Sequence, residues 1–138
     1  MVELDLERLL QAVDAAAPAG PNLEYDTAFL ELNTAAAAKP ERVLGESVQA
    51  AEEPDWPMAE RLALELLGKT KDLRVAVILA AARFKTAGLG GGAAVLGLIG
   101  QMVERYWNSV HPQLDAEDNN DPTMRVNALA ALANPEGS

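Results

Sequence analysis

The sequence predicts an all-α fold, a single domain of about six helices packed as an irregular antiparallel bundle. A chain of 138 residues is long enough to bury a core without disulfides or metal. Residues are 49% hydrophobic but only 4% aromatic, so Ala, Leu and Val must build that core, and Ala and Leu are good helix formers. Apolar residues also recur at helical spacing along most of the chain, and no segment has a convincing strand pattern.

The first two predicted helices lie on either side of a break rich in proline and glycine. Residues 2–16 carry Leu and Val at helical spacing, with acids near the start, where the helix dipole favours them. The stretch PAGPN, residues 18–22, ends this helix. Asp26 is placed to cap a second helix, which fades by Pro40. Residues 41–55 lack a clean period and predict a loop.

Two more helices are predicted over the centre of the chain. Asp55-Trp56-Pro57 begins the third, since proline is tolerated in the first helical turn, and Gly68 ends it. Residues 71–88 contain VAVIL, which is also compatible with a buried strand. The apolar pattern continues over three turns, and this length favours a helix, with Asp72 as its cap.

The last two predicted helices lie on either side of a polar run. The fifth begins near Gly92, ends near Val110, and can pair with the fourth as an antiparallel hairpin. Gly97 and Gly100 inside it lower helix stability, which indicates close helix packing at these positions. The sixth helix extends from residue 122 to residue 133.

Charge and composition argue against several classes of protein. The net charge of −10 argues against nucleic-acid binding, which needs a concentrated positive surface. No cysteine is present, so the chain has neither disulfides nor thiolate metal ligands. The acidic N-terminus does not resemble a signal peptide, and the apolar run 87–100 is too short and too rich in glycine to span a bilayer. We therefore expect a soluble cytoplasmic chain.

The run HPQLDAEDNNDPTMR, residues 111–125, is the most polar part of the chain and resembles a calcium loop at first. Counted from Asp115, however, it lacks the glycine at position six and the glutamate at position twelve that an EF-hand requires. Asp121 instead precedes Pro122 and can cap the sixth helix, with Arg125 one turn further to pair with it. The run therefore predicts a structural corner.

Neither the single histidine nor the glycine run predicts a catalytic or nucleotide-binding site. His111 has no cysteine to activate, no serine lies in a G-x-S-x-G elbow, and one histidine provides too few ligands to hold zinc. We therefore expect His111 to cap the last carbonyls of the preceding helix. Residues 88–93, GLGGGA, match a dinucleotide fingerprint formally, but that motif needs a strand immediately before it, and residues 80–87 look helical. We expect no enzyme activity, no cofactor and no metal.

Three aromatic residues are candidates for partner anchors. Tyr106 lies on the apolar stripe of the fifth helix, which favours a place in the core. Trp107 lies one step round the helix, and both roles remain open for it. Trp56 is expected to fold over the start of the third helix.

Four stretches, in this order and spacing, resemble one protein family. They are PAGPNLEYDTAFLEL (18–32), EEPDWP (52–57), RLALELLGKTKDLRVAVIL (61–79) and VERYWNSVHPQLDAEDNNDPTMRVNALAAL (103–132). Together they are similar to the ImpA-related N-terminal domain, found in the TssA proteins of bacterial type VI secretion systems. The resemblance assigns residues 1–134 to this domain and leaves 135–138 as the start of a linker to an absent C-terminal region.

The resemblance implies a non-catalytic assembly role in the cytoplasm, at the inner face of the inner membrane. It implies baseplate and sheath or tube proteins as partners and self-association through the missing C-terminal region, without nucleic acid and without membrane insertion. The family pattern falls on nine positions: Trp56, Asp72, Arg74, Trp107, His111, Pro112, Asp121, Arg125 and Asn127. Among these we expect Asn127 to face inward, because it lies three residues after Met124, and to need hydrogen-bond partners there.

Two alternatives remain open beside this interpretation. The domain can belong to a relative that caps or anchors the sheath at the inner membrane, which a transmembrane helix downstream in the full gene would indicate. It can also be a small-molecule-binding helical domain that uses residues 88–92.

Overall fold

A computed structural model describes residues 6–38, 41–112 and 122–130, and it confirms the predicted all-α class. The elements in chain order are α1 (Leu6–Leu10), α2 (Thr27–Ala36), β1 (Arg42–Leu44), β2 (Ser47–Gln49), α3 (Trp56–Leu67), α4 (Leu73–Arg105) and α5 (Thr123–Ala130). The first helix ends at Leu10 and not at residue 16 as predicted, because the chain after Leu10 bends and the Val13 amide donates to the Pro18 carbonyl at 2.8 Å. Residues 2–5 and 131–133 of the predicted end helices lie outside the described residues.

The predicted starts of α2 and α3 are confirmed by their caps. The Asp26 carboxylate accepts a hydrogen bond from the Ala28 amide at 3.0 Å, and the Asp55 carboxylate accepts one from the Met58 amide at 3.2 Å. Each carboxylate thus satisfies one of the amides that the first turn of a helix leaves without a partner. Gly68 ends α3 as expected.

The prediction of a loop over residues 41–55 was wrong in part, since β1 and β2 form an antiparallel hairpin. Val43 pairs with Val48 in its register, and Gly45 takes a φ of 63° in the connecting turn. Side chains alternate between the two faces of a strand, so a three-residue strand is too short to show that period in sequence.

Helix α4 is two helical arms separated at Gly88, which has φ 72° and ψ −165°. We name residues 73–87 the first arm and residues 89–105 the second arm. The second arm returns to the start of the first: the Leu73 amide donates to the His111 carbonyl at 2.7 Å, and the His111 amide donates to the Lys71 carbonyl at 2.9 Å. The antiparallel hairpin of the fourth and fifth helices is therefore confirmed, although the second arm begins just after Gly88 and ends at Arg105.

Glycine packing between the arms differs from the prediction. A Cβ on Gly92 would lie 2.2 Å from the Phe84 ring, and one on Gly91 would lie 2.5 Å from the Ala87 Cβ. These glycines therefore allow the arms to approach closely beside the break. Close packing at Gly97 and Gly100 was a wrong prediction, because an added Cβ there would meet nothing within 4 Å.

The core is formed by α2, α3 and both arms of α4, and it consists mainly of Leu, Val and Ala as the composition predicts. Helix α3 buries Leu62, Ala63, Leu66 and Leu67, and Tyr106 is buried at the end of the second arm. The fully buried large apolar side chains are Leu32, Leu66, Leu67, Leu73, Leu79, Leu98, Met102, Val75, Val95 and Val110. Burial of each such side chain stabilises the fold by about 1.5–3 kcal/mol.

By length and composition alone, α4 is the one helix in the described part of the chain that could cross a membrane. The break at Gly88 divides it, however, into two arms that fold back on each other. Neither arm reaches the roughly 20 residues that a membrane-spanning helix needs.

Candidate functional site

Three loops meet at one end of the bundle, and we call this region the loop junction: residues 19–22, 69–74 and 106–112. The Lys71 amide donates to the Ala19 carbonyl at 2.6 Å, and the Thr70 hydroxyl donates to the Pro21 carbonyl at 2.6 Å. Gly20 has a φ of 73°, and a Cβ at this position would lie 2.4 Å from the Lys69 carbonyl oxygen. The glycine that ends the first helical segment in the sequence is thus also required for the close approach of two loops.

Asp72 and Arg74 join the junction to α2. Asp72 caps α4 as predicted, because its carboxylate accepts from the Arg74 amide at 2.9 Å. The same carboxylate binds the Arg74 guanidinium through Nε at 3.0 Å and Nη2 at 2.7 Å. The guanidinium also contacts Glu24 and Asn22 and lies 5.2 Å from the centre of the Phe29 ring.

The neighbours of Arg74 stabilise the charged form of its guanidinium. Burial alone would lower the pKa of Arg74, but hydrogen bonds and electrostatic attraction to Asp72 and Glu24 raise it overall. Arg74 is therefore a cationic cross-link between the start of α4 and the segment that precedes α2.

His111 is buried, with 3% of its surface exposed, and its Nε2 donates to the Gly20 carbonyl at 2.8 Å. The prediction that it caps the carbonyls of the preceding helix was wrong, because its backbone enters the junction between Lys71 and Leu73 and carries the ring away from the helix end. Its Nδ1 is buried and has no hydrogen-bond partner among the described residues. His111 and the neighbouring buried Pro112 thus fix the loop after α4 against residues 19–22.

Arg125, and not His111, binds the backbone carbonyls that follow the second arm of α4. It is 1% exposed, and its guanidinium donates through Nε to the Pro112 carbonyl at 2.8 Å, through Nη2 to the Val110 carbonyl at 2.8 Å, and through Nη1 to the Trp107 carbonyl. Burial lowers the pKa of Arg125. The expected pair of Arg125 with Asp121 is not tested, since Asp121 lies outside the described residues.

Trp107 lies at the surface of the junction and is 41% exposed. One face of its indole covers the Arg125 guanidinium, whose central carbon lies 4.6 Å from the ring centre. Neighbouring Tyr106 is buried, as predicted, and its hydroxyl donates to the Leu10 carbonyl. One ring face of Trp107 therefore packs on a buried cation and the rest of the side chain meets solvent, while its role as a partner anchor stays a prediction.

Lys71 also belongs to this site, although it was not among the predicted positions. Lys71 is 1% exposed, its ammonium group donates to the Leu67 carbonyl at 2.8 Å, and burial lowers its pKa. A basic residue directly after the end of a helix is a common partner for its last carbonyls, so the position of Lys71 just past Gly68 was an available signal.

Six of the nine family positions lie in or against the junction: Asp72, Arg74, Trp107, His111, Pro112 and Arg125. Trp56 lies at the other end of α3, half-buried against the core, in agreement with its expected place at the helix start. Asn127 is exposed, so the inward orientation predicted for it was wrong. The inward face of α5 carries Arg125, two residues earlier.

A shallow pocket of about 390 Å³ opens at the junction. Its lining is Gly20, Pro21, Asn22, Glu24, Arg74, His111, Pro112 and Met124. Its charged groups bind each other, and within the described ranges no group of three His, Asp or Glu side chains could hold a metal ion. The glycines at 91 and 92 face the first arm, and the residues before Gly88 are helical, so the described structure lacks the strand that a dinucleotide turn requires.

The fold and the junction define a small helical domain in which buried basic side chains hold loop carbonyls and an aromatic side chain remains at the surface. The family model described as ImpA, N-terminal, type VI secretion system matches residues 10–134. The chain belongs to this family.

Two relatives agree with this assignment. The type VI secretion system component TssA1 of Pseudomonas aeruginosa is 49% identical over 129 residues, which cover 94% of this chain and 38% of that protein. The solved N-terminal domain of the TssA component from Burkholderia cenocepacia, which includes the conserved ImpA_N region, is 27% identical with a TM-score of 0.77. That match covers 96% of this chain and 47% of the solved chain, so this chain spans less than half of either relative.

Proposed function

We propose that the domain is a non-catalytic assembly and interaction module of a TssA-like protein, which helps baseplate docking and the assembly of the tail tube and sheath. In this proposal it works in the cytoplasm, at the secretion apparatus on the inner face of the inner membrane. Both relatives are named as type VI secretion components, which supports a place in that apparatus.

The observation that carries the proposal is the fixed, exposed indole of Trp107. Its ring rests on a guanidinium that three carbonyls hold in place, so little side-chain freedom remains to be lost when a partner binds. Met124, which is 55% exposed, precedes Arg125 on α5 and adds apolar surface beside the pocket. Tryptophan is enriched among residues that dominate binding energy at protein interfaces.

The charged groups of the junction support a docking role over a chemical one. Arg125 and Lys71 donate to backbone carbonyls, and Arg74 binds Asp72 and Glu24. These groups are therefore engaged in holding loops, and the shape of the surface that they hold is what a partner would recognise.

Co-purification tests the proposal directly. The domain is immobilised and offered the baseplate, sheath and tube proteins of the same gene cluster, one at a time. We expect stoichiometric retention of one of them and at least about tenfold weaker retention by Trp107→Ala, the loss typical of a central interface tryptophan. Circular dichroism and a urea melt first establish that the variant is folded.

Leu89→Ala is the matched control. Leu89 is also a large exposed apolar residue, 83% exposed, but it lies beside Gly88, at the opposite end of the arms from the junction. Equal retention by wild type and Trp107→Ala, or equal loss in both variants, would contradict a docking role for the junction.

A further inference from the structure

A second surface lies between α2 and the start of α3, and we call it the acidic groove. Its volume is about 600 Å³, and it is lined by Thr27, Leu30, Glu31, Thr34, Ala35, Ala37, Glu52, Glu53, Asp55 and Met58. The Asp55 amide donates to the Ala35 carbonyl at 2.8 Å, which fixes the start of α3 against the end of α2. Because α3 begins at the groove and ends beside the junction, the two surfaces lie at opposite ends of the domain.

Among the described residues that line the groove, four carry carboxylates and none carries a basic side chain. Asp55 uses its carboxylate in part to cap α3. The carboxylates of Glu31 and Glu53 make no ion pair or hydrogen bond with another described residue. Their charge is therefore available to an incoming cationic group.

The wall between these acids is apolar and open to solvent. Leu30 is 53% exposed and Met58 is 42% exposed, and the small side chains of Ala35 and Ala37 leave room between them. Methionine adapts its shape readily, which suits a surface that binds a helix. Helix α2 has 10 residues and so offers about 15 Å of groove length, which matches about three helical turns of a partner.

We propose that the acidic groove binds a basic amphipathic helix of another polypeptide, with Leu or Ala side chains against Leu30 and Met58 and Lys or Arg side chains at Glu31 and Glu53. Helix-in-groove recognition of this kind combines a row of apolar anchors with flanking charges. The inference goes beyond the proposed function, because it concerns a different face and specifies the chemistry of its partner.

The negative charge of the groove favours a basic helix over a metal ion, another segment of this chain or a second copy of it. Within the described ranges, no three carboxylates lie close enough to hold a metal ion. Outside the described residues, the segments 1–5, 113–121 and 131–138 of this chain contain acids and no Lys or Arg, and the remaining pair, Lys39 and Pro40, is too short to supply a helix. A second copy would bring its own net charge of −10. A separate basic helix is the occupant that the charge of the groove favours.

Fluorescence anisotropy with a model peptide tests this proposal. The probe is a labelled helix of Leu, Ala and Lys about 15 residues long, with Lys on one face, which gives roughly 22 Å of helix. We expect saturable binding that weakens at least about threefold in the Glu31→Gln, Glu53→Gln double variant, since exposed ion pairs are individually weak. Leu30→Ser should weaken it about fivefold, because a half-exposed leucine has part of its apolar surface left to bury.

Two controls separate the groove from general attraction to an acidic protein. Glu104→Gln removes an exposed acid near the end of the second arm and should leave the affinity unchanged. A peptide of the same composition with scrambled order should bind at least about threefold more weakly, because its apolar side chains do not share one face.

Equal binding of both peptides, or equal affinity of wild type and the groove variants, overturns the proposal. Absence of saturable binding overturns it as well. Sedimentation that shows a dimer broken by Leu30→Ser would assign the groove to a second copy and would also overturn it. None of these results depends on the retention of baseplate or sheath proteins through Trp107, so the two proposals fail independently.

Discussion

Arg125 joins α5 to the loop after α4 by donating to three of its carbonyls, and its removal is the sharpest test of the loop junction. Arg125→Met keeps an unbranched, largely apolar stem but removes the guanidinium. The carbonyls of Trp107, Val110 and Pro112 then lose a charged donor at once.

The expected loss of stability follows from these contacts. A buried carbonyl left without a partner costs about 1–3 kcal/mol, and the contact with the Trp107 ring adds about 0.5–1 kcal/mol. Three such carbonyls would together cost roughly 3–9 kcal/mol, and relief of the buried charge of Arg125 offsets part of this loss, so we expect a net loss of about 3–5 kcal/mol. A domain of this size has a free energy of unfolding of about 5–15 kcal/mol, so the variant should remain folded but be much weakened.

Urea unfolding followed by circular dichroism measures the effect. With an m value of about 2 kcal/mol per molar urea, the midpoint should fall by about 1.5–2.5 M. Arg105→Met removes an exposed arginine at the end of the second arm and should change stability by less than about 0.5 kcal/mol. In a Trp56→Phe background, the emission of Trp107 should also change in Arg125→Met, because the indole loses the cation beneath it.

Arg125→Lys distinguishes the shape of the group from its charge. A lysine keeps the charge but cannot donate to three carbonyls in the planar arrangement of a guanidinium, so its loss should approach that of Met. A lysine variant as stable as wild type, or a loss below about 1 kcal/mol in Arg125→Met, would refute the assignment of Arg125 as the cap of this loop.

The remaining predictions concern the buried lysine and the glycines of α4. Because burial lowers the pKa of Lys71, the folded domain binds fewer protons than the unfolded chain as pH rises toward 10.5. The stability of wild type relative to Lys71→Met should therefore rise with pH. Urea titrations at about pH 7 and about pH 10 that show a constant or falling difference in stability would contradict this. Gly92→Ala should destabilise by about 1–3 kcal/mol, because its Cβ would enter the Phe84 ring. Gly97→Ala should stabilise the domain by up to about 1 kcal/mol, since its Cβ would enter open space on a helix. Thermal melts that rank Gly92→Ala and Gly97→Ala in the reverse order would refute the packing described for the arms.

Local chemistry explains which parts of the fold could be predicted from the sequence. The starts of α2, α3 and α4 are set by Asp26, Asp55 and Asp72, each of which accepts from an amide within three residues. Such contacts leave a signal in a short window of sequence. The turn at Gly88 was predictable for the same reason, as a glycine-rich connection between two apolar helices.

The junction could not be predicted in detail, because its contacts join distant positions. Arg125 reaches carbonyls 13 to 18 residues away, and His111 reaches a carbonyl 91 residues away. The error at Asn127 has a specific cause: Met124 was expected to mark the buried face of α5, whereas it is 55% exposed and the inward position belongs to a charged residue. The spacing of apolar residues does not predict the buried face of α5, because that face carries an arginine that binds three carbonyls.

The span of these contacts also sets the order in which the domain can be completed during synthesis. The Leu10 and Gly20 carbonyls receive their hydrogen bonds only after Tyr106 and His111 have been synthesised. The loop that carries these two residues is capped only after Arg125 has been synthesised. At about 5–20 residues per second, a ribosome needs roughly 5–20 s to travel from residue 20 to residue 125. During that interval α2 and α3 can pair, but the apolar face that they present to α4 stays uncovered until the arms arrive. We therefore expect a nascent chain of this domain to expose apolar surface, to which chaperones can bind, until both arms of α4 have emerged.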